Sequence, residues 1–308
     1  MSDLFYPGVH AAERGDHPAY VMAETGETVT YRELHERANR IARLFRDLGL
    51  QPGDHVAWCM ENHPWFLSLA WGAHYAGLYY TAISSRLTGE EAAYIVDDCG
   101  ARVLLLSQYT SGLVPDLADT TPKVEHRFML GGTTEGYASF EDAVAAQPAD
   151  DLPDATEGVD MLYSSGTTGR PKGVKAPLRD VPLGTPDALF MLVAGLFGAN
   201  TETVYLSPAP LYHAAPLRFC MQVQRAGGTV VVMDHFDPER TLQLIEQYRV
   251  TFGQFVPTMF VRMLKLPEEV RERYDVSSLQ VAVHAAAPCP IPVKEQMIEW
   301  WGPVLHEY

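Results

Sequence analysis

Basic residues are scarce in this chain: 23 Lys and Arg stand against 39 Asp and Glu, a formal net charge of −16. A surface of that sign repels polyphosphate backbones, which argues against non-specific nucleic-acid binding. It also repels a free nucleotide at long range, so a nucleotide site has to be made locally from backbone N–H groups and a few cations. Cysteine is sparse too. Cys59, Cys99, Cys220 and Cys289 form no C-x-x-C and no Cys/His cluster, so neither a zinc site nor a redox pair is signalled. Four reduced, mostly buried thiols of a cytoplasmic protein are expected. Long apolar runs are missing. The greasiest stretch, 188–199, is too short and too glycine-interrupted to span a bilayer, and reads as a core helix. The start, MSDLFYPGVH, lacks a basic residue followed by an apolar stretch, so no signal peptide is expected. The remaining balance, 47% apolar and 20% charged over 308 residues, suits one large globular domain or two compact lobes.

The first clear element starts at Thr30. Thr30-Tyr-Arg-Glu33 reads as a capping box, followed by Leu34, Ala38, Ile41, Ala42 and Phe45 at helical spacing and by Gly49 as a stop. A buried strand over 55–60, a helix over 64–76 and a strand over 79–83 come next. Thr88 to Glu91 is a second capping box, opening a helix to Asp98, and 102–107 is a strand. Such alternation predicts βαβ units and parallel sheets covered on both faces. Residues 116–156, richer in Pro, Asp and Gly, read as a peripheral excursion. Further strands are expected at 161–163, 203–206, 228–233, 250–255, 279–284 and 304–307. Helices are expected from Asp237-Pro238 to Tyr248, over 257–264 and over 293–301. The expected fold class is α/β: two stacked lobes, 1–160 and 161–308, with mostly parallel sheets flanked by helices.

The chemistry-bearing segment is Tyr163 to Val174, YSSGTTGRPKGV. Its three glycines permit φ > 0 and close backbone approach to a ligand. Its hydroxyls and free N–H groups can form a concave nest for phosphate oxygens, with Lys172 as one mobile cation and Pro171 stiffening the return. A Ser/Thr/Gly-rich surface turn is the bland alternative; a twelve-residue segment with seven such residues, directly after a strand, argues against it. The spacing is neither that of a Walker A loop nor that of a dinucleotide fingerprint.

The segment does resemble the phosphate loop of the adenylate-forming superfamily, which holds acyl-CoA synthetases, luciferases and peptide-synthetase adenylation domains. Its pattern, [S/T]-[S/T]-G-[S/T]-T-G-x-P-K-G-V, is met at every position. Similarity also extends to Thr30–Leu34 (TYREL), to Gly72–Tyr94 with its RLTGEE stretch, and to Ala226-Gly-Gly-Thr229. Pro210-Leu-Tyr-His213 is similar to the segment whose His lies beside the substrate carboxylate and α-phosphate. His284-Ala-Ala-Ala-Pro288 resembles the adenine-lining turn, with Ala285 replacing the commoner glycine. Leu305 to Tyr308 matches the lead-in to the motif whose Glu holds Mg²⁺.

The resemblance therefore implies an AMP-forming acid–thiol ligase using ATP, Mg²⁺ and coenzyme A. Lys172 and His213 are its candidate catalytic residues. Ser164, Ser165, Gly166, Thr167, Thr168, Gly169, Lys172, Ala286, Ala287, Pro288, His306, Glu307 and Tyr308 are its candidate nucleotide-binding residues, and Thr167 is the candidate on the metal side. It also implies that the chain is the N-terminal part of such an enzyme, lacking the β-barrel and the C-terminal domain, and inactive as a ligase alone. Partners are a small carboxylic acid, ATP and coenzyme A, with no nucleic acid and no transmembrane segment; a homodimer is compatible. Members that activate amino acids carry an Asp near the His. The stretch SPAPLYHAAPLRF has no acid, which disfavours an α-amino acid and favours a fatty, aryl or steroid-type acid, fatty acid first. Leu217, Phe219, Met221, Phe255, Met259 and Phe260 either line an acyl pocket or are plain core. An acyl-AMP ligase serving a carrier protein, and a catalytically silent nucleotide-binding fragment, remain as alternatives.

Overall fold

The computed structural model describes residues 4–164 and 170–308. Fourteen strands occur among them, in chain order β1 Pro18–Met22, β2 Thr28–Thr30, β3 His55–Cys59, β4 Tyr79–Ile83, β5 Val103–Ser107, β6 His126–Leu130 and β7 Ala138–Ser139. They continue with β8 Val159–Ser164, β9 Lys172–Lys175, β10 Val204–Ser207, β11 Thr229–Val232, β12 Phe252–Phe255, β13 Val281–His284 and β14 Leu305–Glu307. They form two sheets of seven, each in its own compact unit.

The first unit, mainly Arg32–Thr185 with Leu211–Leu217, holds the sheet β7-β6-β5-β3-β4-β8-β9. Every pairing is parallel except β8–β9. Strands β3, β4 and β5 are buried along their whole length, as a sheet covered on both faces requires. The helix Gly89–Cys99 opens on the capping box read at Thr88 and Glu91 and closes at Gly100 in the left-handed conformation. The region expected to be peripheral instead supplies β6 and β7. Phe128, Met129 and Leu130 are buried, but His126 and Arg127 interrupt the apolar pattern of this five-residue strand and hide it in sequence.

The second unit, Tyr6–Tyr31 with Pro186–Pro210 and Arg218–Tyr308, holds the sheet β14-β13-β12-β10-β11-β1-β2. Only β1–β2 is antiparallel. The helix Pro238–Tyr248 starts as expected, with the Asp237 carboxylate accepting from the Arg240 N–H. The boundary expected at residue 160 does not coincide with this division. Strand β8 joins the first sheet by pairing with β4, and β1 joins the second by pairing with β11, more than 200 residues away in sequence. Local pattern carries no information about partners that distant.

The expected core helix over 188–199 is also corrected. A three-residue α-helical start runs into wide π-type turns over Met191–Leu196. Val193 is fully buried, while Met191 and Leu196 are 60% and 73% exposed. The glycines that interrupt the run leave too few apolar side chains for a continuous buried face.

All four cysteines are free and buried. Burial pushes the Cys59 and Cys220 thiols up to about 12 and Cys99 to about 11, so they stay protonated and inert.

Candidate nucleotide-binding site

In the first unit the strands that flank the loop segment, β8 and β9, pair antiparallel. Ser164, the last residue of β8, stands opposite Lys172, the first of β9. The Ser164 hydroxyl donates to the Lys172 carbonyl at 3.5 Å. Gly173 lies so close to β8 that a Cβ would sit 2.5 Å from Met161 Cε and 2.9 Å from Tyr163 Cζ, so any side chain there would require those two side chains to shift. Ser165, Gly166, Thr167, Thr168 and Gly169, the centre of the expected nest, lie outside the described residues. Beyond them the two loop cations diverge. Arg170 places its guanidinium 5.0 Å over the Tyr94 ring, and the Tyr94 hydroxyl donates to the Pro171 carbonyl at 3.3 Å. Lys172 is exposed and forms no ion pair with any described residue.

The hairpin's base is tied down. The Tyr163 hydroxyl hydrogen-bonds the Asp98 carboxylate on the neighbouring helix. Thr81 in β4 donates to the Met161 carbonyl at 2.8 Å. Because β4 runs parallel to β8, the chain leaving β4 at Ser84–Arg86 emerges at the same, C-terminal end of the sheet as the loop. Ligands of open α/β sheets bind at that end.

His213 belongs to this unit. Its carbonyl accepts from the Leu217 N–H at 3.2 Å, and its ring lies 4.5 Å from that of Tyr212. The segment is held where the Leu211 N–H donates to the Asn62 side-chain oxygen at 2.8 Å. Burial, and then the Arg86 guanidinium, holds the His213 imidazole below its ordinary value, so it is neutral near pH 7. Arg86 was not singled out from sequence; the RLTGEE stretch that contains it was noticed only as a family segment.

In the second unit the turn after β13 leaves Ala286, Ala287 and Pro288 exposed. Ala286 has φ +73°, the left-handed region a glycine adopts freely. The sequence comparison placed the glycine substitution at Ala285; the residue that bears the strain is Ala286. Ala286→Gly is expected to raise stability by up to about 1 kcal/mol, the ~1–2 kcal/mol cost of a left-handed alanine offset by the freedom glycine adds to the unfolded chain. A lower midpoint in urea would contradict it. Beside this turn, β14 pairs in parallel with β13, His284 opposite Glu307. His306 packs on Phe197 and Tyr308 on Phe219. Glu307 is ion-paired with Lys294, which holds its carboxyl below the usual range. Phe255, Met259 and Phe260 are members of this unit's hydrophobic core, so the core reading applies to them.

For a metal, no three His, Cys, Asp or Glu side chains come together among the described residues. For a nucleotide the fit is better. An exposed unpaired cation faces a hydroxyl across a glycine-packed hairpin, in a chain otherwise rich in negative charge.

Comparison with known proteins agrees. The family model described as AMP-binding enzyme matches residues 9–308. The chain belongs to the AMP-binding enzyme family. Among curated relatives of this family, a feruloyl-CoA synthase from Amycolatopsis is 31% identical over 91% of this chain and 54% of its own length. The fatty acid–[acyl-carrier-protein] ligase ScoC of Streptomyces coeruleorubidus is 30% identical over 94% of this chain and 53% of its own. The chain thus spans about half the length of the curated relatives it matches. In fold it is similar to the N-terminal domain of FACL13 from Mycobacterium tuberculosis, with a TM-score of 0.81 and 24% identity over 98% of this chain and 73% of that one. Among the described residues no helix is long and apolar enough to cross a membrane.

His55, the first residue of β3, carries a pH signature. Its ring is buried, which lowers its pKa to about 4, with the Lys175 ammonium adding to the shift and Asp54 opposing it. The unfolded chain takes up the proton near the ordinary 6.5, so between 6.5 and about 4 the unfolded state binds more protons. Stability is therefore expected to fall as pH drops through that window. Urea midpoints at pH 7 and pH 5 should converge in His55→Gln relative to the parent protein. An unchanged pH dependence would remove His55 as a source.

Proposed function

We propose that the protein is an ATP-dependent acid–thiol ligase that activates a carboxylic acid as its acyl-adenylate. The observation that carries this reading is Lys172, exposed and unpaired opposite Ser164 at the mouth of a phosphate-type hairpin, in a member of the AMP-binding enzyme family. In the first half-reaction a carboxylate oxygen would attack the α-phosphorus of Mg·ATP, and the bond to the β-phosphate would break, releasing pyrophosphate. Lys172 would offset the charge gathering on the leaving group, while neutral His213 would face the acid without adding a charge of its own. In the second half-reaction a thiol, that of coenzyme A, would displace AMP.

The acid would have an apolar tail. The stretch around His213 offers no carboxylate to pair with an α-ammonium group, and the relatives named above act on a feruloyl and a fatty acyl substrate. We take a fatty acid as the first substrate class and an aryl-propenoic acid as the second. Transfer to a carrier protein is the other acceptor reading, supported by the similarity to ScoC.

The test is ATP–pyrophosphate exchange with the natural full-length protein across fatty, aryl-propenoic and amino acids, followed by trapping with coenzyme A or carrier protein. Exchange with an apolar acid supports the reading. ATP binding without exchange for any acid would replace it with a silent nucleotide-binding module.

A further inference from the structure

At the opposite end of the loop hairpin from Ser164, three strands meet in a cluster that the proposed chemistry does not use. Lys175, the last residue of β9, places its ammonium 3.0 Å from His55 Nε2 and 4.3 Å from the centre of the Tyr79 ring. His55 and Tyr79, the first residues of β3 and β4, stack at 4.6 Å with their planes 17° apart. The Tyr79 hydroxyl donates to the Ala176 carbonyl at 2.9 Å and accepts from the Leu178 N–H at 3.1 Å. One phenol and one imidazole therefore hold the side chain that ends β9 and the backbone that follows it.

We infer that Lys175, His55 and Tyr79 form an anchor that sets the register of β9 and thereby places Lys172 at the phosphate site. This rests on the adenylating reading above and adds positioning residues to it. Direct phosphate contact by Lys175 does not fit. It lies three residues from Lys172, about 10 Å along the strand and on the opposite face. Strand β9 is a four-residue edge strand, and among the described residues its ladder is made with β8 alone. Short edge strands slip easily, and a slip of one residue turns every side chain to the other face. In β9 such a slip would carry Lys172 away from the loop mouth and press a side chain into the space that Gly173 leaves between Met161 and Tyr163. The anchor resists it at the far end. The neutral imidazole accepts from the ammonium, the aromatic face attracts the same charge, and the phenol clasps the next residues.

The natural full-length protein tests this through the split between substrates. Lys175→Met is expected to raise the KM for ATP about tenfold, the equivalent of about 1.4 kcal/mol, while the KM for the acid moves less than about twofold. Lys175→Arg, which still donates to His55 and stacks on Tyr79, should restore the ATP value. His55→Phe, which keeps the ring stack and loses the acceptor, should repeat the Lys175→Met effect. A Lys175→Met protein with an unchanged KM for ATP overturns the anchor. So does one that loses both substrates equally with a lowered melting temperature, because that is a general structural role. Parent protein that shows no exchange with any acid overturns the adenylating reading itself; exchange that responds to Lys172→Ala but not to Lys175→Met overturns only the anchor.

Discussion

Lys172→Ala is expected to lower ATP–pyrophosphate exchange by about 10²-fold while leaving the melting temperature unchanged, the scale seen when one preorganised donor is removed from a developing negative charge. The structure gives reasons for so large an effect from one exposed side chain. The chain's net charge is −16, so the surrounding field disfavours phosphate and leaves few cations to compensate. The nearest loop cation, Arg170, is engaged over the Tyr94 ring and hence ill placed to take over. Lys172 forms no ion pair with the described residues, so its charge is uncommitted before the nucleotide arrives. Lys172→Arg should recover only part of the loss, because a planar fork does not occupy the place of a compact ammonium. Exchange within about threefold of the parent in Lys172→Ala would leave the loop without its proposed role.

The largest stability effect is expected at Glu157. Its carboxylate accepts from His74 Nε2 at 2.8 Å and from the Gly184 N–H at 2.6 Å, with the His74 and Glu157 side chains only 8% and 6% exposed. Truncation in Glu157→Ala strips buried donors of their acceptor and is expected to cost about 3–5 kcal/mol. The next residue explains the sensitivity. The Gly158 N–H donates to the His74 carbonyl at 2.8 Å, and a Cβ there would sit 2.7 Å from the Leu78 oxygen. The segment entering β8 is thus pressed against the end of the helix Phe66–Tyr75, which leads into β4, with little room to relax. Glu157→Gln should lose less, since its amide oxygen still accepts from Gly184. Urea unfolding of the two variants beside the parent measures both. A loss below about 1 kcal/mol in Glu157→Ala would mean that the pair's desolvation cancels its bonds.

Much of this molecule is written locally. The capping box at Thr88, the Asp237-Pro238 helix start, the apolar strands β3, β5 and β11, and the hairpin segment at 163–174 each depend on neighbours within about a dozen residues, the range over which helical and strand periods operate. The loop's residue pattern stood out for the same reason, since its glycines, hydroxyls and lysine are contiguous. Other features were not local and were not legible. Strand β6 was hidden by His126 and Arg127, although its second half is buried. Strand β1 earns its place only by pairing with β11. The division of the chain into units followed those pairings and not the boundary expected at residue 160.

By itself, then, the sequence determined the α/β class and the family, because these rest on short-range periodicity and on contiguous residue chemistry. Only the tertiary structure decided that Arg170 turns to Tyr94 while Lys172 stays free, that Ala286 carries the left-handed turn, and that Arg86 neighbours His213. It alone brought His55, Tyr79 and Lys175 together from three strands. The physical reason is the same each time: burial, charge and hydrogen bonding act between residues close in space, and strand pairing across tens to hundreds of residues decides which those are.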